Sequence, residues 1–203
     1  MNMKYTHEAG RSMIEMLGVL AIIGVLSVGG IQGYSMAMSK FKVSKTTDQV
    51  QTMVTNIRTL FAGQRTYAGL DSKTAYTMGI FNDEICNDST CAKPVNPYGG
   101  TIVLGSPNEN QYFSITYNTL STDACTRLAM ADWGDASSGL VAIALSGAAQ
   151  AVPTTWAHVD ASQGKGTFTT AKGGDVPVTL AHAVLACKPS SGDNTSSITW
   201  IYR

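Results

Sequence analysis

The sequence predicts an α+β protein in which a long N-terminal helix packs on a C-terminal globular head with an antiparallel sheet. Residues 16–39 contain no charged side chain, and residues 40–62 carry apolar side chains at helical spacing. The rest of the chain alternates short apolar runs with turn residues, which is typical of short strands and helices. A chain of 203 residues that is 44% hydrophobic can bury one core and is too apolar for general disorder.

The charge balance excludes some classes of partner. Fourteen basic and fourteen acidic residues give a net charge of zero, and charged residues make up only 14% of the chain. Without a basic run or alternating aromatic and basic residues, we expect no nucleic-acid binding. Few charges and 20 glycines suit a surface that is covered by other molecules, including copies of the same chain.

The N-terminal segment predicts one continuous helix over residues 12–62. A helix over the uncharged residues 16–39 would be about 36 Å long, enough to cross a bilayer core of about 30 Å. Val43, Val50 and Ile57 then recur every seven residues, and no proline occurs before Pro94. The alternatives are a buried core helix and a secretory signal cleaved near Ser39. A retained membrane helix is favoured, because a cut near Ser39 would divide a well-phased element.

The head, residues 63–203, is predicted element by element. After a break at 63–70 and a loop-rich stretch to 98, strands are expected at 101–105 and 112–117, joined as a hairpin. A helix over 121–133 begins at Ser121, and a buried strand covers 140–145. Residues 147–175 show no clear pattern. A helix over 177–187 has Pro177 in its first turn, and a closing strand over 197–203 alternates Ile198, Trp200 and Tyr202 with Thr199 and Ile201.

The four cysteines, Cys86, Cys91, Cys125 and Cys187, allow two disulfides in an oxidising compartment or a metal site in a reducing one. Zinc is disfavoured, because Cys-x4-Cys is wider than the usual pair and His158 and His182 lack ligand spacing.

No glycine-flanked nucleophilic serine, phosphate loop or pair of metal-binding carboxylates occurs, so we expect no cofactor, no metal and no enzymatic activity. Trp133, Trp156 and Trp200 are interpreted as core or subunit-contact residues.

The string GRSMIE at residues 10–15, followed by MLGVLAIIGVLS, resembles the cleavage and methylation motif of type IV prepilins. The resemblance implies a leader over residues 1–10, removed by a prepilin peptidase between Gly10 and Arg11, and N-methylation of Arg11. It also implies that Glu15 pairs with the terminal ammonium of a neighbouring subunit. Arg11 departs from the family, which usually has phenylalanine, methionine or leucine there.

Over the whole chain the sequence resembles the type IVb-like subclass of these pilins, which has a large C-terminal disulfide region, here 125–187. The resemblance implies a Cys125–Cys187 disulfide, which leaves Cys86 with Cys91. It implies a helical homopolymer used in adhesion, aggregation, motility or transfer. Residues 11–39 would lie in the inner membrane before assembly, and residues 40–62 would be the amphipathic half of the helix.

The resemblance places the head in the periplasm and then in an extracellular pilus built by inner-membrane assembly machinery. A count of the lysines at 40, 42 and 45 would instead place the head in the cytoplasm. We give priority to the motif and to the cysteines.

Four glycines are predicted to provide close-packing surfaces in the filament, where the helix would stretch or melt locally near residues 29–33. They are Gly24, Gly29, Gly30 and Gly33. The alternative functions are a minor pilin or secretion-system pseudopilin, and a secreted binding protein with a cleaved signal.

Overall fold

The structure is a computed structural model that describes residues 8–86, 88, 90–148, 165–169, 176–189 and 195–203. The helices are α1 (Glu8–Phe61), α2 (Ser72–Thr77), α3 (Pro107–Asn110), α4 (Thr122–Ala129) and α5 (Leu180–Ala186). The strands are β1 (Ile102–Gly105), β2 (Phe113–Leu120), β3 (Leu140–Ser146), β4 (Lys165–Thr169) and β5 (Ser196–Tyr202). The chain divides into a first unit, residues 1–41, and a second unit, residues 42–203.

The described part of the first unit is uninterrupted helix from Glu8. Its large apolar side chains from Met13 to Met36 are exposed, from 52% at Val19 to 76% at Val25, as is Phe41, whereas Met38 is half-buried. By length and composition, α1 is the one helix in the described ranges that could cross a membrane. In the described residues, the backbone hydrogen bonds of this stretch form within the helix itself, and most of its apolar side chains are not covered by other parts of the chain.

The second unit is built on a five-stranded antiparallel sheet with strand order β1-β2-β5-β3-β4. The last strand of the chain therefore lies at the centre of the sheet. The predicted closing strand is present, and all seven of its residues are buried, so the side chains on both of its faces are covered, Thr199 and Ile201 included. A central strand covered on both faces has no solvent side, which removes the reason for alternation.

The second half of α1 packs on this sheet through the predicted stripe. Val50, Met53 and Ile57 are 0–1% exposed, and Val43 packs at the edge of the core. The Tyr117 hydroxyl of β2 donates a hydrogen bond to Gln49 Oε1 at 3.3 Å. Helix α4 contacts strands β3 and β5, and helix α5 contacts strands β3 and β4. The predicted fold class, a long helix and an antiparallel head, is confirmed.

Two helices of the head are shorter than predicted. Helix α4 ends at Ala129 rather than near residue 133, because the chain turns back and the Trp133 indole donates a hydrogen bond to Leu128 O at 2.5 Å. Helix α5 begins after its N-cap, Thr179, so Pro177 precedes the helix and is not in its first turn.

Two short helices and a strand were not predicted. Helix α2 lies in the expected loop-rich stretch, where the Asp71 carboxylate caps it by accepting a hydrogen bond from Thr74 N at 2.7 Å. Helix α3 occupies the connection between β1 and β2. Strand β4 pairs with β3 inside the stretch 147–175, for which the sequence showed no pattern.

Candidate assembly surfaces

The predicted processing motif lies in the first unit. Gly10 and Arg11 belong to the helical backbone of α1, and the Glu15 side chain is exposed. Between residues 13 and 41 the charged side chains are Glu15 and Lys40, one at each end of the uncharged segment. The Glu15 carboxylate therefore begins an otherwise apolar surface, where it is costly to bury without a cationic partner.

Among the residues that the structure describes, none lies close enough to the glycines of this segment to require their small size. A Cβ added at Gly24, Gly29, Gly30 or Gly33 would meet nothing within 4 Å. Each glycine in a helix interior costs up to about 1 kcal/mol relative to alanine. Small residues on a helix let a neighbouring helix approach closely, which is the role predicted for these glycines.

Two disulfides join the four cysteines, Cys86 to Cys91 and Cys125 to Cys187, the pairing that the resemblance implies. Cys125 lies in α4, and Cys187 directly follows α5. The Ser196 hydroxyl at the start of β5 donates a hydrogen bond to Cys187 O at 2.5 Å. The larger disulfide region thus ties both helices to the central strand.

Two lysines hold α1 to the rest of the second unit. The Lys42 ammonium lies 5.6 Å from the centroid of the Tyr98 ring, a cation–π contact. Lys45 forms an ion pair with Glu84. Burial raises the pKa of Tyr98 to about 12, and the nearby Asp123 carboxylate adds to the rise.

Near the end of α1, Arg58 contacts the last residue of β5, Tyr202, and the residue that follows it, Arg203. Its guanidinium lies 5.1 Å from the centroid of the Tyr202 ring and donates a hydrogen bond to Arg203 O at 3.2 Å. A Cβ at Gly139, whose φ is +80°, would lie 2.3 Å from the Arg58 Nη2 atom. The positive φ favours glycine there, and any larger side chain would also displace the Arg58 guanidinium from its contacts. In the sequence, Arg58 lies off the apolar stripe of α1, and no sequence pattern indicates its contacts with Tyr202 and Arg203.

Asn96 organises a turn at residues 96–100. Its Oδ1 accepts hydrogen bonds from Tyr98 N at 2.9 Å and Gly100 N at 3.1 Å, and its Nδ2 donates to Asn118 O at 2.7 Å. A Cβ at Gly100 would lie 2.0 Å from Asn118 O, so only glycine allows this close approach. The Asn-Pro dipeptide signals the turn, but no sequence signal identifies Asn118 as its partner.

The remaining predicted positions show no assembled chemical site in the described ranges. Those ranges contain no cluster of three histidine, cysteine or acidic side chains that could hold a metal. His182 is exposed on α5, and Trp133 and Trp200 are buried with ring centroids 4.6 Å apart. His158 and Trp156 lie outside the described residues.

Three comparisons with known proteins were informative. A family model described as Bundlin matches residues 36–203. The "Major structural subunit of bundle-forming pilus" of Escherichia coli O127:H6 is 30% identical over 205 residues, covering 100% of this chain and 97% of that protein. The protein of the same description from Escherichia coli O111:H- is 29% identical with the same coverage.

Among solved structures, TcpA, a type IV pilin from Vibrio cholerae El Tor biotype, superposes with a TM-score of 0.54 at 16% identity. The match covers 80% of this chain and 99% of TcpA. At this identity the likeness concerns the fold alone.

Proposed function

Because the chain belongs to the Bundlin family of type IV pilins, we propose that it is the major structural subunit of a pilus filament. Its role is mechanical, and copies of the chain are its main partner. The observation that carries the proposal is the exposed apolar helix of the first unit, joined in sequence to a pilin head. Both relatives are major subunits by name, which favours this function over a minor pilin or a pseudopilin.

The apolar surface of residues 13–36 must be shielded from water both before and after the subunit is assembled into a filament. Before assembly the inner membrane provides it, with the head on the periplasmic side. After a prepilin peptidase removes residues 1–10 and Arg11 is methylated, the assembly machinery moves the helix from lipid into the filament axis. Neighbouring helices then replace lipid, so the apolar area stays out of water throughout.

Glu15 selects the correct register during this transfer. In the filament the Glu15 carboxylate of one subunit pairs with the N-terminal ammonium of Arg11 in a neighbouring subunit. Because Arg11 precedes Glu15 by four residues in the sequence, the pair fixes how far neighbouring helices are displaced along the axis. A charge-assisted pair offsets most of the desolvation that an unpaired carboxylate would suffer in the filament axis. A misdocked subunit leaves Glu15 unpaired and is rejected.

The test is Glu15→Ala in cells that have no other copy of the subunit. We expect normal membrane insertion, leader removal and disulfide formation, but few or no filaments in the sheared fraction, because the register pair is lost. The matched controls are Glu15→Asp, which keeps the charge on a side chain one methylene shorter and should be intermediate, and Ser27→Ala, which should be normal. Wild-type filament yield from Glu15→Ala would refute the register role.

The mature N-terminus provides the second measurement. Mass spectrometry of sheared filaments should find a chain that begins at a methylated Arg11. A mature chain that begins near Ser39 or Lys40 would instead identify a secreted protein with a cleaved signal.

A further inference from the structure

The uncharged segment of α1 is longer than a bilayer core requires. Residues 16–39 would extend for about 36 Å, whereas a core of about 30 Å needs roughly 20 residues. The surplus of roughly four residues lies outside the hydrocarbon at one end unless the helix tilts. The side chains at the two ends indicate which end that is.

Polarity is concentrated at the C-terminal end of the segment. Residues 16–31 contain one polar side chain, Ser27, while Gln32, Tyr34, Ser35 and Ser39 follow within eight residues. Tyr34 is the sole aromatic residue between positions 16 and 39, and it is 69% exposed in the first unit. Tyrosine concentrates at membrane interfaces because its ring is apolar and its hydroxyl prefers water.

We propose that, in the membrane-bound subunit, the hydrocarbon core ends at Tyr34, whose hydroxyl lies among the phospholipid headgroups. A count of roughly 20 residues from Met16, which directly follows Glu15, ends at Ser35 and so agrees with the position of the aromatic ring. The inference rests on the proposed membrane-bound state and refines it, because residues 36–39 then lie outside the hydrocarbon.

The charge beyond Tyr34 fits the same boundary. Lys40 follows Tyr34 by six residues, or about 9 Å along the helix axis. That distance is close to the outer edge of a headgroup layer of about 5–8 Å, and a lysine side chain is long enough to reach back to a lipid phosphate. The surface of residues 34–40 is therefore an interfacial anchor whose partner is the phospholipid headgroup layer.

Cysteine accessibility in the full chain locates the boundary. Under non-reducing conditions a thiol reagent labels only the added cysteine, because the four native cysteines are paired in disulfides. In spheroplasts treated with a membrane-impermeant maleimide, Ala37→Cys and Ser39→Cys should react about tenfold faster than Ile31→Cys, which lies in hydrocarbon. If Ala37→Cys reacts as slowly as Ile31→Cys while Ser39→Cys reacts quickly, the boundary lies beyond Tyr34 and the inference is wrong.

The anchoring role of the Tyr34 ring is tested by substituting Tyr34 in the variant that already carries Ala37→Cys. Tyr34→Leu should let the helix sink and slow the labelling of Ala37→Cys by about threefold, whereas Tyr34→Trp should preserve the fast rate. Met36→Leu, which changes a neighbouring side chain of similar size, should have no effect. Equal labelling of the Tyr34→Leu and unchanged chains would overturn the anchor.

Extraction separates a failure of this inference from a failure of the proposed function. The chain should stay in the membrane pellet after an alkaline carbonate wash. Release by carbonate, together with fast labelling of Ile31→Cys, would overturn both the membrane-bound state and the anchor. A chain that stays in the pellet but labels with a different boundary overturns the anchor alone.

Discussion

Removal of the two disulfides should destabilise the head to different extents. The Cys125–Cys187 bond joins residues 62 positions apart, and the Cys86–Cys91 bond joins residues five apart. In the chain-entropy model, closure of the larger loop stabilises the fold by about 4 kcal/mol and closure of the smaller loop by about 2 kcal/mol. All four sulfurs belong to residues at most 3% exposed, so the cavity left by truncation is similar in the two cases.

The assay is thermal unfolding of the full chain in detergent micelles, followed by near-ultraviolet circular dichroism. For a head of this size, the Cys125→Ala/Cys187→Ala double variant should unfold about 8–16 °C below the wild type and the Cys86→Ala/Cys91→Ala variant about 4–8 °C below it. Each variant is the matched control of the other. Equal shifts, or a larger loss from the small loop, would refute the loop-length reasoning. Non-reducing peptide maps that link Cys86 to Cys187 would refute the pairing itself.

Three further predictions concern the turn at Asn96, the buried phenol of Tyr202 and the glycines of α1. Asn96→Ala removes three hydrogen bonds in a buried site and should lower the free energy of unfolding, measured by urea titration, by about 2–4 kcal/mol. Asn82→Ala, which removes one partly exposed bond, should cost under about 1 kcal/mol, and equal losses would contradict the role of Asn96. Burial raises the pKa of Tyr202 to about 12, although the Arg58 charge acts in the opposite direction. The protonated phenol therefore contributes its full share to the stability of the fold below pH about 10, and this contribution is lost as the pH rises towards 12. Unfolding temperatures measured between pH 9 and 12 should therefore fall less in Tyr202→Phe than in wild type, and parallel curves would contradict this. In a filament map, α1 should be stretched or melted near Gly29–Gly33, and an unbroken helix there would contradict the packing role of these glycines.

The parts of the fold that local patterns determine could be predicted from the sequence. The period of Val43, Val50 and Ile57 places one face of α1 against the head, and burial of Val50 and Ile57 agrees with it. Strands β1, β2 and β3 differ from their predicted bounds by at most three residues at either end, because β-branched runs between turn residues are local signals.

The missed features depend on partners distant in sequence. Full burial of β5 follows from its position between β2 and β3, and its own residues carry no sign of that position. The contact of Arg58 with Tyr202 joins residues more than a hundred positions apart, as does its hydrogen bond to Arg203. Helix α4 stops early because Trp133 returns to a terminal carbonyl, a tertiary contact that overrides helix propensity.

The basic residues that follow the uncharged segment are the strongest argument from sequence against a head outside the cytoplasm. In the second unit Lys42 stacks on Tyr98, and Lys45 pairs with Glu84, so both side chains serve to attach α1 to the head. A positive charge required by the folded head would occur at these positions whichever way the helix is inserted. The positive-inside count assumes that nothing but topology selects such charges, and that assumption does not hold for these two lysines. The lysine count therefore carries less weight for orientation than the motif at residues 10–15, and with Lys42 and Lys45 set aside, Lys40 is the one lysine of the three that is left.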